Sequence, residues 1–237
     1  MLREGGQDLR EYLITTAARL IAERGAAGLA VRDIARAAKV ADGVLYNYFE
    51  DKEDLLAHAL LAHVGTVMHD MPPMPEPGSG TVAGNLESFI DSGLATLARV
   101  IPAFAGLVTQ PNVLTRFQAM VGGHAAFGTA RQPGESGQGQ ARGEQASQVQ
   151  PGPPRQQDDN DPHGLPALLT AYLRAEQQLG RVDPAADVEA ATMLVIGAIH
   201  GQILPAVLLN PSGELPAAPP GLARRLAATV LSGIAPR

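Results

Sequence analysis

The spacing of apolar residues constrains this chain more than any other feature. They recur at threes and fours from one end to the other and nowhere alternate with polar residues as they would along a strand. Leu9, Leu13, Thr16, Leu20 and Ile21 set the period over an amphipathic helix expected from Asp8 to Arg24. Asp8 is expected to cap that helix, with Glu11 completing a capping box, and Gly25 to end it. Short helices are expected at Val31–Ala38 and Asp42–Tyr48, and a long one at Lys52–His69. Pro72, Pro73, Pro75 and Pro77 then forbid its continuation. Asn85–Val100 carries the next stripe, Pro102 and Pro111 interrupt the chain beyond it, and Val113–Phe127 is expected to be helical. The period returns at Leu165–Leu179. It continues at Pro184–Leu204, with Asp183 as the cap and Pro205 as a bend or end, and at Pro220–Ile234. The expected fold class is all-α, with about nine helices.

Segment 131–163 differs in kind. Its 33 residues hold five Gly, five Pro and eight Gln, and Val149 is the one bulky aliphatic or aromatic among them. Such a stretch buries too little apolar area to offset its chain entropy, so it is expected to be a disordered insertion. The rest is ample for a core, since 45% of the 237 residues are hydrophobic. Zero cysteines exclude a disulfide scaffold, a Cys-ligated metal site and a thiol nucleophile. The net charge of -6 argues against a protein that coats nucleic acid nonspecifically, though not against a reader with a few placed cations. No apolar run is expected to approach the roughly 18 residues of a membrane span. The opening MLREGGQDLREYL has no signal-peptide core, so the expectation is a soluble cytoplasmic protein with no membrane partner.

Residues 8–56 are the informative part. A helix, a short helix, a tight turn at Lys39–Ala41 and a second short helix make a helix-turn-helix candidate. The second short helix must be held by its inner face if its outer face is to enter a major groove about 12 Å wide. Val44, Leu45 and Tyr48 can supply the inner contacts, against Ile34, Ala35 and Phe49. Ala41, Asp42, Gly43, Tyr46 and Asn47 would then face outward. Lys52, at the start of the next helix, could share one phosphate with the N–H groups of the helix terminus.

The run LAVRDIARAAKVADGVLYNYFEDKEDLL (29–56) resembles the DNA-binding domain of the TetR family of transcriptional regulators. Ile34-Ala35, Val40, Leu45-Tyr46, Tyr48-Phe49, Lys52-Glu53 and Leu55 carry the resemblance, without a gap. It implies a helix-turn-helix domain at 1–52 and a ligand-binding and dimerisation domain at 53–237. It also implies a homodimer on double-stranded DNA, usually a repressor at a palindromic operator, released by a small-molecule effector. Arg32 and Asn47 are then the candidate base readers, and Tyr46, Tyr48 and Lys52 the candidate backbone contacts. Ala30 and Ala41 stand where the family usually has Thr or Ser, and Lys39 where it usually has Gly. Asp42 puts a negative charge on the expected DNA face, and residues 1–58 hold eight Lys/Arg against ten Asp/Glu.

Beyond residue 58 the bulky side chains Phe89, Phe104, Phe117, Met120, Tyr172 and Met193 are candidates to line an apolar effector cavity, with His124 and His200 as polar groups in it. The segment ATMLVIGAIHGQIL (191–204) is apolar nearly all round, and Leu194, Gly197 and Gly201 on it can meet another helix closely. Leu226 and Val230 share a stripe of the last helix. These two helices are expected to pair with their copies as a four-helix bundle. No cofactor is expected. No two histidines are four apart, so no HExxH metal pattern exists, and no P-loop, dinucleotide fingerprint or GxSxG suggests an enzyme. The rival expectation is a regulator-like module that binds a small molecule or protein and has lost specific DNA binding.

Overall fold

The computed structural model describes residues 4–26, 28–104, 107, 110–121, 164–209, 215 and 217–234, with residues 4–7 described by their backbone alone. Among them stand nine helices and no strand. In chain order they are α1 (Glu4–Arg24), α2 (Val31–Ala38), α3 (Asp42–Leu45), α4 (Lys52–His69), α5 (Val82–Phe104), α6 (Pro111–Met120), α7 (Leu165–Gln178), α8 (Val188–Leu209) and α9 (Leu222–Ile234).

Several boundaries differ from those expected, each for a local reason. Helix α1 begins four residues before Asp8, so Asp8 lies inside it and caps nothing. Its end is as expected: Gly25 takes φ +72° and donates to the Ile21 carbonyl at 2.8 Å. Helix α3 is regular only to Leu45, and residues 46–48 continue as tighter turns, with Asn47 N–H to Val44 C=O and Tyr48 N–H to Leu45 C=O. Helix α5 begins at Val82 because Thr81 caps it through its hydroxyl, accepting from Gly84 N–H at 3.0 Å. It also runs through Pro102, as α8 runs through Pro205 to Leu209. Proline removes one hydrogen bond but holds a helical φ, and buried Ile203 and Val207 keep α8 in place beyond the gap. Asp187, not Asp183, caps α8, accepting from Ala190 N–H at 2.9 Å, while Asp183 turns the chain by accepting from Ala185 N–H. Helix α9 begins at Leu222, two residues after the expected start. The expected helix to Phe127 is α6 as far as Met120, and the remainder, with the 131–163 insertion, lies outside the described residues.

Two apolar clusters form the core. The first gathers Leu13, Ala17, Leu20 and Ile21 of α1, Ile34 and Ala35 of α2, Leu45 of α3 and Leu55, Leu56, Ala57, Ala59 and Leu60 of α4 around Phe49. Ala103, Leu107, Val113 and Phe117 belong to it too, so α6 and the end of α5 complete the N-terminal core. The second unites α5, α7, α8 and α9, with Val67 and Val82 at its edge. Gly93 lets α5 and α8 approach, since a Cβ there would stand 3.0 Å from Ile199 Cδ1.

A polar staple ties the 71–81 connection to α7. Glu176, fully buried, accepts from Gly78 N–H at 3.1 Å and pairs with Arg181 at 3.3 Å. Arg181 donates to Gly80 C=O, and Asn85 donates to Ser79 C=O and to the Tyr172 hydroxyl. Burial, then the hydrogen bond with Glu176, pushes the Tyr172 phenol up to about 12.

The expectation that no apolar run nears membrane-span length is corrected by α8. Val188–Leu209 reaches a mean hydropathy of 1.8, long and apolar enough to cross a membrane by length and composition. Its Val188, Val195, Ile199 and Ile203 face packs into the second cluster, as a core helix does.

Candidate nucleic-acid interface

The turn between α2 and α3 is closed by backbone. Lys39 takes the left-handed conformation at φ 58°, and Val40 N–H reaches the Ala35 carbonyl at 3.0 Å. A non-glycine residue there carries about 1–2 kcal/mol of steric cost. Neither short helix has a side-chain cap at its N-cap alanine. Ala30 is served from the other side instead, its N–H donating to the Asp33 carboxylate at 3.2 Å.

The inner face of α3 is anchored by Leu45 and Tyr48, while Val44, also expected there, is half-buried and joins neither apolar cluster. Leu45 is 2% exposed inside the first cluster, and Val40 and Tyr48 pack on that cluster half-buried. Phe49 seals it from below, with the Arg10 guanidinium 5.2 Å over its ring. The outward residues form one continuous surface: Ala41, Asp42, Gly43, Tyr46 and Asn47 are all exposed, Tyr46 at 59%. Arg32 stands beside them on α2, its side chain 82% exposed.

Electrostatics on this surface are less simple than the exposure. The Arg32 guanidinium lies 3.3 Å from the Asp42 carboxylate, so the candidate base reader and the acid beside it form an ion pair. Both groups are in water, and such a pair is worth about 0–1 kcal/mol. It is loose enough to be exchanged for a base edge or phosphate.

The start of α4 carries a side-chain cap of its own. Asp51 is the N-cap, accepting from Asp54 N–H at 2.8 Å, and Asp54 reaches back to Glu50 N–H at 3.2 Å. At the helix terminus beside half-buried Lys52, the Asp54 N–H is therefore served by the protein's own carboxylate. Arg116 of α6 answers this acid cluster, at 2.8 Å from Asp51, 3.6 Å from Glu50 and 3.9 Å from Asp54. Asp54 also faces His58 at 3.1 Å, and His58 Nε2 accepts from Arg10 at 2.8 Å. Sequence reading missed Arg116. The signal was Glu50, Asp51, Glu53 and Asp54, four acids crowded at one helix start, whose mutual repulsion a cation from elsewhere relieves.

The expected effector residues do not meet in one cavity. Phe89 and Tyr172 are packed in the second cluster. Phe117 is fully buried in the first, with Phe104 edge-on at 5.2 Å and Met120 beside it. Met193 is corrected outright: it is 73% exposed on the outer face of α8 and lines no interior space. His200 turns Nδ1 to the Ile196 carbonyl at 2.8 Å, and its buried Nε2 has no hydrogen-bond partner. His124 lies outside the described residues.

The expected pairing residues lie where a second copy could reach them. Leu194, Gly197 and Gly201 are exposed along α8, and Leu226 and Val230 are half-buried on α9 against the second cluster. Nothing stands within 4 Å of a Cβ added at Gly197 or Gly201, so the protomer itself does not require glycine at either place.

Residues 13–59 match the sequence model of the bacterial regulatory proteins, tetR family. The HTH-type transcriptional regulator HbdR of Aromatoleum sp. (strain CIB) is 35% identical over 66 residues, 28% of this chain and 29% of that protein. The aligned part thus spans less than a third of that relative's length. A TetR transcription regulator from Haloarcula marismortui shares the fold with a TM-score of 0.57 at 17% identity, over 97% of this chain and 100% of that one. The transcriptional regulator FadR from Bacillus subtilis, solved with stearoyl-CoA, does so with a TM-score of 0.51 at 20% identity, over 94% of this chain and 98% of that one. At these identities the structural likeness is one of fold.

Proposed function

We propose that this chain, which carries the DNA-binding domain of the TetR family on the fold of that family's regulators, is a ligand-responsive transcriptional regulator that grips a palindromic operator as a homodimer. The single observation that carries the reading is the two-sidedness of α3: Leu45 is sunk in the core while Tyr46 and Asn47 stand in water next to Arg32. A helix so held offers short polar side chains to a groove. Asn47 and Arg32 read base edges, while Tyr46, Tyr48 and Lys52 hold the backbone. Ala41 and Gly43 let the groove wall approach closely. Asp42 releases Arg32 on binding.

Dimerisation uses the outer face of α8, where Leu194, Gly197 and Gly201 are exposed, together with Leu226 and Val230 of α9. A two-fold axis there presents two copies of α3 about 34–36 Å apart on one face of the duplex. The effector is a small, mainly apolar molecule, and its binding lowers operator affinity, so the protein acts as a repressor. Transmission runs through α4, whose N-terminus is tied to α6 by Arg116–Asp51. A ligand acts only through its differential affinity for the DNA-competent and released states.

A second reading has its own observation. The Arg32–Asp42 pair and the carboxylates at the α4 start are what a chain without specific DNA binding would retain. Selection of binding sites from a random duplex library separates the two. Enrichment of a palindrome with half-sites one helical turn apart supports the regulator. Recovery of no common sequence supports the module.

A further inference from the structure

A crevice of about 500 Å³ opens between α1, α4 and α5, at the seam of the two apolar clusters. That is within the roughly 300–1,000 Å³ of small-molecule sites. Its apolar lining is Ala18 and Ala22 from α1, Val67 from α4 and Ala98 and Pro102 from α5, with Thr15 and Thr66 beside them; of these Val67 is buried. His63, 8% exposed, also lines it and bonds through Nε2 to the Arg99 carbonyl at 3.1 Å, tying α4 to α5 there. Among its described lining residues two are cations, Arg19 and Arg99, and none is a carboxylate. A second concavity of about 300 Å³ continues from it, sharing Val67 and Arg99 and adding the carboxylates of Asp70 and Asp91. Phe89 and Tyr172 of the C-terminal core, by contrast, are buried in the second cluster.

We propose that this crevice binds a small carboxylate with an apolar body, the anionic head taken by Arg19 and Arg99 and the body by the alanine and valine floor. Each guanidinium pairs at present with one exposed acid, Arg19 with Glu23 and Arg99 with Asp70. Such pairs are solvent-screened and weak, and a guanidinium with five N–H donors has others to give. Because the walls of the crevice are one helix of the DNA-binding domain and two that continue into the rest of the chain, an occupant sets the angle of α1 against α4. That consequence rests on the regulator reading; the binding itself does not.

The test is calorimetry on the full chain without DNA, with octanoate and the uncharged 1-octanol as probes. Octanoate binds saturably, one per protomer, and 1-octanol at least tenfold more weakly. R19Q/R99Q, two exposed positions whose loss leaves both cores intact, weakens octanoate at least tenfold and leaves 1-octanol unchanged. A22W, which fills the crevice, removes binding of both. No saturable octanoate binding, equal octanoate affinity in R19Q/R99Q, or retained binding in A22W overturns the proposal. Operator release is measured separately. Octanoate that binds but does not change operator affinity defeats its role in regulation and leaves the site standing.

Discussion

Helices α3 and α8 each bury one face and leave the other to water, and the two outer faces are opposites. That of α3 carries Ala41, Asp42, Gly43, Tyr46 and Asn47, small or polar side chains able to bond in a groove. That of α8 carries Met193, Leu194, Leu204 and Leu208, all exposed, around two glycines with open space above them. A polar face held rigidly from behind suits a hydrated, hydrogen-bonding partner, whereas an apolar stripe of this kind suits protein. The inner faces of the two helices resemble each other; the outer faces indicate two different tasks.

Breaking the inner anchor of α3 gives the largest effect. L45A leaves a cavity in the first cluster and costs about 2–5 kcal/mol of stability. Thermal unfolding records it as a lower Tm, and DNA binding falls with it. On α8 the outer face is the one to break. L194D with L208D lowers association by about 2 kcal/mol or more per position, and sedimentation then shows a monomer. The parent's Tm then rises with protein concentration and that of the double variant does not, because only the parent gains stability from association. A parent Tm independent of concentration, with sedimentation unchanged by the double variant, would instead mean that this face of α8 joins no second copy.

Finer changes sharpen the contrast on α3 itself. N47A leaves folding unchanged and reduces discrimination between operator and random DNA by about 1–3 kcal/mol, read by competition binding. K39G relieves the left-handed backbone at the turn and raises stability by about 1 kcal/mol, seen as a higher urea midpoint. D42N frees Arg32 and improves DNA affinity by up to about 1 kcal/mol, with a steeper fall of affinity with salt. Weaker binding by D42N would mean that the acid, not its partner, makes the useful contact.

Much of this was legible in the residues, and the limit of legibility has a physical cause. The inner and outer sides of α3 come from the spacing of Leu45 and Tyr48, since short-range periodicity fixes which side of a helix is apolar, although Val44, read the same way, joins neither core. Periodicity does not fix which core that side enters. Phe117 has the bulk of a cavity lining, yet α6 inserts it into the N-terminal cluster. Met193 belongs to a helix apolar on all sides, so its sequence neighbourhood cannot separate buried from exposed. The Arg32–Asp42 pair and the reach of Arg116 to Asp51 join residues 10 and 65 positions apart, and such ion pairs exist only after folding has brought them together. Prolines misled in the other direction: Pro102 and Pro205 remove one hydrogen bond each from helices that tertiary packing holds together.

Whether α3 reads sequence is decided by fluorescence anisotropy of the full chain on its selected operator and on a scrambled duplex, over a range of salt. The expected result is operator binding at least about 10³-fold tighter than to the scrambled duplex. Log affinity is expected to fall linearly with log salt, and N47A and R32A to erase most of the preference. Equal affinity for the two duplexes at every salt concentration, or a preference that survives both substitutions, would contradict a reading role for this face.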